Sequence, residues 1–344
     1  MINSQDTDKL TKHEIFVSHA SPHQMSKVMV VDDQYLSLLH AVDLIRYEGY
    51  EIVETSDSSQ ALCLAYQEQP DVILIDVYMP VVNGLELARQ LKLHPHTQSI
   101  PIILMSVSEE QKIKEEAIKI GVDNIITKPL DRFRLSSQLR NLVQQKRLND
   151  GLNQTKKVLL SLATAIENRS VEEKQSSFNL ANIVMNFGQY LQLDDDDLED
   201  LTFAAYLHDI GTVSIPEHIL TKKDKLTAEE NEIIRQHVII GEQICQPLAN
   251  RPNLLAIIRH HHEKYDGTGY PDSLSKENIP FLAQVFQIAD IYHALTSKRS
   301  YKPAYSSDES LEILAEETQR GWRNPQLFAQ FKEFIFLSST KFDR

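Results

Sequence analysis

Three short apolar runs, each ending in polar or proline residues, constrain the fold of this chain most. They are "KVMVVDD" (27–33), "DVILIDVYMP" (71–80) and "IPIILMS" (100–106), and all three contain β-branched residues. Continuous apolar character of this length is typical of strands that are buried on both faces, as in a parallel sheet covered by helices. Two weaker runs, "YEIVETS" (50–56) and "DNIITKP" (123–129), complete five strands that alternate with helical segments. The pattern predicts a doubly wound α/β domain with a five-stranded parallel sheet.

The second half of the chain has a different pattern. After Asn168 no strand-like run recurs, and the sequence is typical of helices joined by short polar loops. A helical stretch joins the two halves, and we expect it to fray or kink at Gly151, where glycine costs roughly 1 kcal/mol relative to alanine. The predicted organisation is a flexible arm (1–26), an α/β domain (27–147), a helical linker (148–168) and an all-α domain (155–344). The linker also carries a broken apolar stripe through which two copies can pair as a homodimer.

Charge and cysteine content exclude several classes of protein. The 344 residues carry a formal net charge of -14, so the chain offers no basic stripe for nucleic acid or an anionic membrane. The two cysteines, Cys63 and Cys245, lie far apart, which argues against a disulfide framework and fits a reducing compartment. We see no signal-peptide core and no run long enough to span a bilayer. We therefore expect a cytoplasmic protein that binds neither nucleic acid nor membrane.

Charged and hydroxyl side chains follow the carboxyl ends of the predicted strands, where α/β sheets place their sites. They are Asp32, Asp33, Asp76, Ser106 and Lys128. Three carboxylates brought together need a cation between them, and oxygen ligands suit Mg²⁺. Asp76 would then form an aspartyl phosphate, while Lys128 neutralises the phosphoryl group and Ser106 donates a hydrogen bond to it. Any one of these residues alone would be an ordinary solvated strand end, but their recurrence on successive strands favours a site.

The same segments resemble a known family. "VVDD", "LIDVYMPVVNGLEL", "ILMS" and "IITKP" are similar to the motifs of response-regulator receiver domains, over roughly residues 27–147. The resemblance implies a flavodoxin-like fold and phosphorylation of Asp76 by a partner sensor histidine kinase. It also implies that Mg²⁺ is held by Asp33, Asp76 and the backbone carbonyl of Val77. One position departs from the family, because Ile125 stands where an aromatic switch residue is often found.

Histidines and aspartates recur through the predicted all-α domain, in segments flanked by apolar residues. The candidate metal ligands are His208, Asp209, His237, His261, His262 and Asp290. Burying so many polar groups without a shared partner would be costly, and imidazole with carboxylate suits Mn, Fe or Zn. A bridging Asp209 would let two metals lie about 3.5–4 Å apart and activate one water for attack on a phosphodiester. For any single histidine the competing interpretation is a hydrogen-bonded structural residue, and His260 stays open between the two.

These segments also resemble a family. "HDIG", "HVIIGE", "HHEKYDGTGYP" and "ADIYHALTSKRSYKPA" are similar to the motifs of HD-GYP domains, over about residues 155–338. The resemblance implies hydrolysis of cyclic di-GMP at a centre of two or three metals, with the six residues above as ligands and Glu167 available to a third metal. Tyr270 would shape the nucleotide pocket. Arg299 and Lys302 match the cationic positions that meet the ligand phosphates, a task that suits guanidinium and ammonium groups.

Three departures from the HD-GYP pattern leave two functions open. Thr212 replaces a lysine, Ser176 stands where the family has a histidine, and His293 replaces an aspartate. Loss of a ligand and of a phosphate-facing cation should weaken metal binding and transition-state stabilisation. The first function is a phosphorylation-controlled response regulator that hydrolyses cyclic di-GMP to the linear dinucleotide or GMP, which the otherwise intact ligand set favours. The second is a catalytically impaired domain that senses the dinucleotide or binds a protein partner.

Overall fold

A computed structural model describes residues 25–108, 110–167, 176–222, 224–298 and 304–342. The chain divides into two compact units between Asp150 and Gly151. The predicted N-terminal arm, apart from its last two residues, lies outside the described residues. Arg299 and Lys302 lie outside them as well.

The first unit is built on one parallel sheet, as the sequence predicts. Its strands are β1 (Lys27–Val31), β2 (Glu51–Thr55), β3 (Val72–Asp76), β4 (Ile102–Ser106) and β5 (Asn124–Thr127). The strand order is β2-β1-β3-β4-β5, so the chain winds outward from β1 in both directions. In the register of β1 with β3, Val31 is opposite Ile75, and Asp76 is opposite Met105 of β4. Asp32 and Asp33, which follow β1, and Asp76, which ends β3, therefore lie at the same edge of the sheet.

Helices cover both faces of this sheet. They are α1 (Tyr35–Tyr47), α2 (Ala61–Glu68), α3 (Gly84–Leu93), α4 (Gln111–Ile120) and the first part of α5 (Arg132–Glu167). Alternate residues of each strand point to opposite faces. Ile73 therefore lies in the core formed with α2, α3 and α4, while its neighbour Leu74 lies in the core formed with α1 and α5. Burial on both faces explains why the central strands consist of uninterrupted apolar residues.

Helix α5 contributes to the cores of both units. Leu135 and Leu139 are buried in the first unit, and Leu159 and Ala163 are buried in the core of the second. The backbone is helical at Gly151 and on both sides of it, so the predicted linker is the second half of one long helix. The glycine therefore does not interrupt helix α5.

The second unit is all-α in its described residues, in agreement with the sequence. Its helices are the end of α5, α6 (Ser176–Tyr190), α7 (Asp195–Leu207), α8 (Glu217–Leu220), α9 (Ala228–Arg235), α10 (His237–Cys245), α11 (Pro252–His260), α12 (Phe281–Thr296), α13 (Ser307–Gln319) and α14 (Pro325–Phe342). Helix α12 lies at the centre, with every residue from Leu282 to Ala289 buried. Phe187 of α6 and Phe331 of α14 meet edge to face in the same core, with ring centroids 4.9 Å apart. Among the described helices, none combines the length and apolarity that crossing a bilayer requires.

Candidate functional site

Three carboxylates converge at the edge of the sheet in the first unit. Oxygen atoms of Asp32, Asp33 and Asp76 all lie within 4.8 Å of one another. Asp32 and Asp76 are buried, and the Oδ1 of Asp33 is a buried acceptor without a hydrogen-bond partner. A buried acceptor rarely stays unpaired, and oxygen donors in this number are what Mg²⁺ takes. These three aspartates therefore fit a divalent cation.

Lys128 joins two of these carboxylates. Its Nζ lies 2.7 Å from Oδ2 of Asp32 and 2.5 Å from Oδ1 of Asp76. Burial raises the pKa of Asp76, and the hydrogen bond from Lys128 opposes that rise. Burial also disfavours the charge on Lys128, but the two carboxylates outweigh it and raise the pKa of the ammonium group. The ammonium group thus neutralises part of the negative charge beside Asp76.

The backbone around Asp76 is closely packed. A Cβ atom at Gly84 would lie 2.1 Å from the carbonyl oxygen of Asp76, so the chain can return this close only with glycine. The N–H of Gly84 donates to the carbonyl oxygen of Val77 (3.0 Å), the group that the receiver resemblance assigns to Mg²⁺. Tyr78 donates its N–H to Oδ2 of Asp76 (3.0 Å). One Asp76 oxygen is therefore held by Lys128 and the other by backbone.

Two further side chains of this unit do not have the arrangement that the receiver resemblance implies for a phosphorylated site. The Ser106 hydroxyl donates to the carbonyl oxygen of Ser108 (2.8 Å), so it must rotate to reach a phosphoryl oxygen. Ile125 is half-buried and packs against the sheet core formed with α2–α4. At this position an aliphatic side chain fills the place for which the receiver resemblance suggests an aromatic ring.

The six predicted ligands of the second unit come together from four segments. His208 and Asp209 follow α7, His237 begins α10, the pair His261–His262 follows α11, and Asp290 lies in α12. Ligand atoms of Asp209, His237, His261 and His262 all lie within 4.8 Å of one another. The Nε2 of His208 lies 3.3 Å from Oδ2 of Asp209 and 3.9 Å from Oδ1 of Asp290. We refer to these six residues as the His–Asp cluster.

Backbone carbonyl groups orient three of the imidazole rings. The Nδ1 atoms of His208, His237 and His261 lie 3.2, 2.6 and 2.9 Å from carbonyl oxygens of the preceding helical turn. This contact places the proton on Nδ1 and turns the Nε2 lone pair toward the cluster, as in metal-binding histidines. The Nε2 atoms of His237 and His261 are buried and have no hydrogen-bond partner. Two aimed, unpaired lone pairs beside a carboxylate fit a bound metal ion.

The charge states of the cluster also suit a cation. Burial lowers the pKa of His262 to about 3 and holds that of His261 well below its usual range, with the neighbouring imidazoles adding to the effect. Burial also opposes charge on His208, but Asp209 outweighs it and raises the pKa of His208 to about 9. The side chain of Asp209 is 58% exposed, so the cluster opens to solvent at this carboxylate. The neutral imidazoles of His261 and His262 with an accessible carboxylate fit the donor set of Mn, Fe or Zn, and His208 would release its proton on binding a metal.

Glu263, which sequence reasoning did not assign, holds the turn that carries Tyr270. Its fully buried carboxylate accepts hydrogen bonds from the N–H groups of Asp272 (2.7 Å) and Leu274 (3.0 Å). These hydrogen bonds hold the segment between Glu263 and Leu274, and within it the Tyr270 ring lies against His262, with ring centroids 4.9 Å apart and ring planes 28° apart. Tyr270 therefore lies at the rim of the His–Asp cluster.

A second group of potential ligands lies behind this turn. Atoms of His260, Glu263 and Asp272 lie within 4.8 Å of one another. The guanidinium of Arg259 already binds both oxygens of Asp272 (2.7 and 2.9 Å) and also contacts Glu242 (2.6 Å). Arg259 thus supplies the positive charge, and the group fastens the turn to α11. His260 belongs to this structural group and lies outside the His–Asp cluster.

A buried polar chain supports the two consecutive histidines, and sequence reasoning missed it. The Nε2 of Gln287 donates to the carbonyl oxygens of His261 (2.8 Å) and Glu263. Its Oε1 accepts from Arg323 (2.9 Å), which also pairs with Glu317 (2.8 Å). These contacts fix the backbone from which His261 and His262 project, the kind of support that orients metal ligands.

The three residues that depart from the HD-GYP pattern lie at or beside short-range polar contacts. Ser176 begins α6, and the N–H of the next residue donates to Oε1 of Glu167 (2.9 Å), so this carboxylate caps α6. The Thr212 hydroxyl donates to the carbonyl oxygen of Asp209 (2.7 Å). The Nε2 of His293 lies 3.1 Å from the hydroxyl of Ser297, the residue that follows α12.

Two family models match the chain, one for each unit. The response regulator receiver domain matches residues 28–140, and the HD domain matches residues 144–327. The cyclic di-GMP phosphodiesterase response regulator RpfG of Xanthomonas campestris is 31% identical over 319 residues, covering 86% of this chain and 83% of that protein. A cyclic di-GMP phosphodiesterase of Thermotoga maritima is 28% identical over 304 residues, covering 80% of this chain and 81% of that protein. The chain therefore belongs to the HD domain family, as a response regulator that joins a receiver domain to an HD domain.

Proposed function

We propose that this chain is a phosphorylation-controlled phosphodiesterase whose HD domain hydrolyses cyclic di-GMP to the linear dinucleotide or GMP. The activity named for both relatives supports this substrate. The observation that carries the proposal is the pair of buried, unpaired Nε2 atoms of His237 and His261 beside Asp209. Leaving two such atoms unpaired would be costly in a domain that had no use for a metal.

The His–Asp cluster is proposed to hold two divalent ions, Fe or Mn, with Zn as the third candidate. Asp209 is the proposed bridge because Oδ1 lies 3.4 Å from Nε2 of His237 while Oδ2 lies 3.3 Å from Nε2 of His208. When bound, such ions polarise a phosphodiester and supply a nucleophile at neutral pH. Glu167 is the proposed ligand of a third ion, and its Oε1 accepts a hydrogen bond from the backbone of α6.

The residues of this domain divide the remaining tasks. The neutral imidazoles of His261 and His262 offer lone pairs without first losing a proton, because burial holds their pKa values low. Tyr270 forms one wall of the pocket beside His262. Arg299 and Lys302 are proposed to meet the substrate phosphates, a task for which a guanidinium fork and an ammonium group are suited.

The receiver domain is proposed to control this activity. A sensor histidine kinase would phosphorylate Asp76, with Mg²⁺ held by Asp32, Asp33, Asp76 and the carbonyl group of Val77. Lys128 already contacts Asp76 and would neutralise the added phosphoryl charge. The Ser106 hydroxyl would rotate from its backbone acceptor to donate to a phosphoryl oxygen.

Helix α5 is the proposed route from the receiver domain to the HD domain. Its exposed face carries Leu148, Val158 and Leu162, which are 61%, 49% and 49% exposed. Their spacing suits pairing with a second copy, so we propose that phosphorylation favours a homodimer through this helix. Beryllofluoride should raise the mass measured by sedimentation, and Leu162→Glu should prevent the increase. An unchanged mass and an unchanged rate of hydrolysis would contradict this control.

Two unpaired cysteines support a cytoplasmic location.

The first experiment is metal analysis paired with hydrolysis of cyclic di-GMP in Mn²⁺ or Fe²⁺. The full-length protein is compared with Asp209→Asn, which keeps the side-chain shape, and with Asp308→Asn, an exposed aspartate at the start of α13. We expect two metals per chain and turnover in the wild type and in Asp308→Asn, and loss of both in Asp209→Asn. Tight binding of the dinucleotide without cleavage would instead indicate a sensor.

A further inference from the structure

Arg235 lies at the rim of the His–Asp cluster. It is the last residue of α9, two positions before His237 at the start of α10. Its guanidinium lies over the ring of Tyr270, 5.1 Å from the centroid, and Tyr270 in turn stacks on His262. A guanidinium over an aromatic face is held in place by the ring and keeps its hydrogen-bond donors available.

The ring of Tyr270 places Arg235 beside the cluster. Its centroid lies 4.9 Å from that of the His262 ring and 6.5 Å from that of the His237 ring. Arg235 therefore lies near enough to the cluster for its charge to act on a ligand bound there.

Neighbouring arginines are committed to other partners. Arg259 is paired with Glu242 and Asp272. Arg323 is buried and paired with Glu317. The side chain of Arg235 is 52% exposed, and its carboxylate contact is a 3.8 Å approach of Glu232, whose side chain is 65% exposed. A contact of this length between exposed groups does little to neutralise the guanidinium.

A cyclic dinucleotide brings two phosphodiester anions to a chain whose formal net charge is -14. Metals at the His–Asp cluster can meet one phosphate, and a cation at the rim can bind the second together with the proposed contacts from Arg299 and Lys302. We propose that Arg235 is a substrate-binding residue that donates its guanidinium fork to a phosphate of the dinucleotide. This inference rests on the proposed function. Tyr270, on this view, holds Arg235 in position as well as lining the pocket.

The test compares the wild type with Arg235→Gln, Arg235→Lys and Arg320→Gln. Arg320 is a matched control: its side chain is 59% exposed, it lies over the ring of Trp322 and it has one acidic contact at 3.5 Å. Each full-length protein is loaded with Mn²⁺, checked for metal content and helical signal, and assayed for cyclic di-GMP affinity, KM and kcat between 0.05 and 0.5 M NaCl, about the range over which screening changes most.

We expect Arg235→Gln to raise Kd and KM by about 10- to 100-fold, which corresponds to about 1.4–2.7 kcal/mol. Metal content should stay at the wild-type level, and binding should become less sensitive to salt because one ionic contact is gone. Arg235→Lys should recover part of the loss, and Arg320→Gln should match the wild type. If Arg235→Gln also matches the wild type, this inference is wrong while the proposed function stands. If the wild type neither binds nor cleaves the dinucleotide, the proposed function fails, and this inference fails with it.

Discussion

The Nε2 of His237 lies 3.4 Å from Oδ1 of Asp209, yet the two atoms do not form a hydrogen bond. The carbonyl contact on Nδ1 directs the Nε2 lone pair toward the carboxylate, so two electron-rich groups face each other. A metal ion between them would replace this repulsion with two favourable contacts. The cluster is therefore a site whose own geometry calls for a cation.

Removing metal should destabilise the HD domain without unfolding it. The core around α12 contains Phe187, Phe331 and Phe334, whose rings pack against one another. A metal present at 100 times its Kd stabilises the folded state by about 2.7 kcal/mol, which amounts to a Tm change of roughly 5–10 °C for a domain of this size. We expect EDTA to lower the Tm of the second transition by that amount while the helical circular dichroism at 25 °C is kept. Complete loss of helicity at 25 °C would mean that the metal is structural.

Asp76→Asn should prevent phosphorylation. The substitution keeps the side-chain shape but removes the carboxylate nucleophile that Lys128 contacts. With acetyl phosphate and Mg²⁺, we expect the wild type to take up one phosphoryl group per chain and the variant none. Asp43→Asn is the matched control, since Asp43 is 63% exposed on α1. Equal incorporation into Asp76→Asn would place the phosphoacceptor elsewhere.

Glu263→Gln should loosen the turn that carries Tyr270. The glutamine amide retains one oxygen acceptor, so one of the two backbone N–H groups at Asp272 and Leu274 loses its partner. Leaving such a group unpaired costs about 1–3 kcal/mol. Urea unfolding should show a loss of stability of this size, and hydrolysis should slow because Tyr270 and His262 shift together. Glu277→Gln, an exposed change in the same loop, should leave both unchanged; equal effects from the two variants would contradict the assignment.

Cys245 should make stability depend on pH above pH 9. Burial raises the pKa of its thiol from 9.0 to about 12, so folding favours the protonated form. The contribution is complete below the pKa of the unfolded chain and is lost as the pH rises toward the folded value, by about 1.4 kcal/mol per pH unit. We expect the free energy of unfolding to fall more steeply between pH 9 and pH 11 in the wild type than in Cys245→Ala.

Alkylation gives an independent measure of the same burial. Iodoacetamide should modify the exposed Cys63 in the native protein and leave Cys245 unmodified until denaturant is added. Rapid modification of both thiols in the folded protein would contradict the assigned burial.

Much of the first site could be predicted because apolar runs that alternate with helical segments predict a parallel sheet. Asp32 follows β1 and Asp76 ends β3; these strands are parallel neighbours, and parallel neighbours end at the same edge. The Ser106 hydroxyl, by contrast, donates to the carbonyl group of Ser108. The pattern of apolar and polar residues does not predict which rotamer a side chain adopts.

The supporting contacts of the second site were partly visible in the sequence. Gln284 and Gln287 lie one turn apart within the apolar run of α12, and a buried amide needs partners. That spacing was a signal that sequence reasoning did not use. Which groups would pair with Gln287 was not visible, because Arg323 follows 36 residues later in the chain.

The sequence by itself determined the two domain types, the sheet and the set of candidate ligand residues, because periodicity and residue chemistry are local properties. Only the tertiary structure decided which nitrogen of each imidazole faces the cluster, that Glu263 fastens the Tyr270 turn, and that Arg235 lies over Tyr270. Those outcomes depend on distances between segments far apart in the chain. Packing of whole helices sets such distances, and no short pattern encodes them.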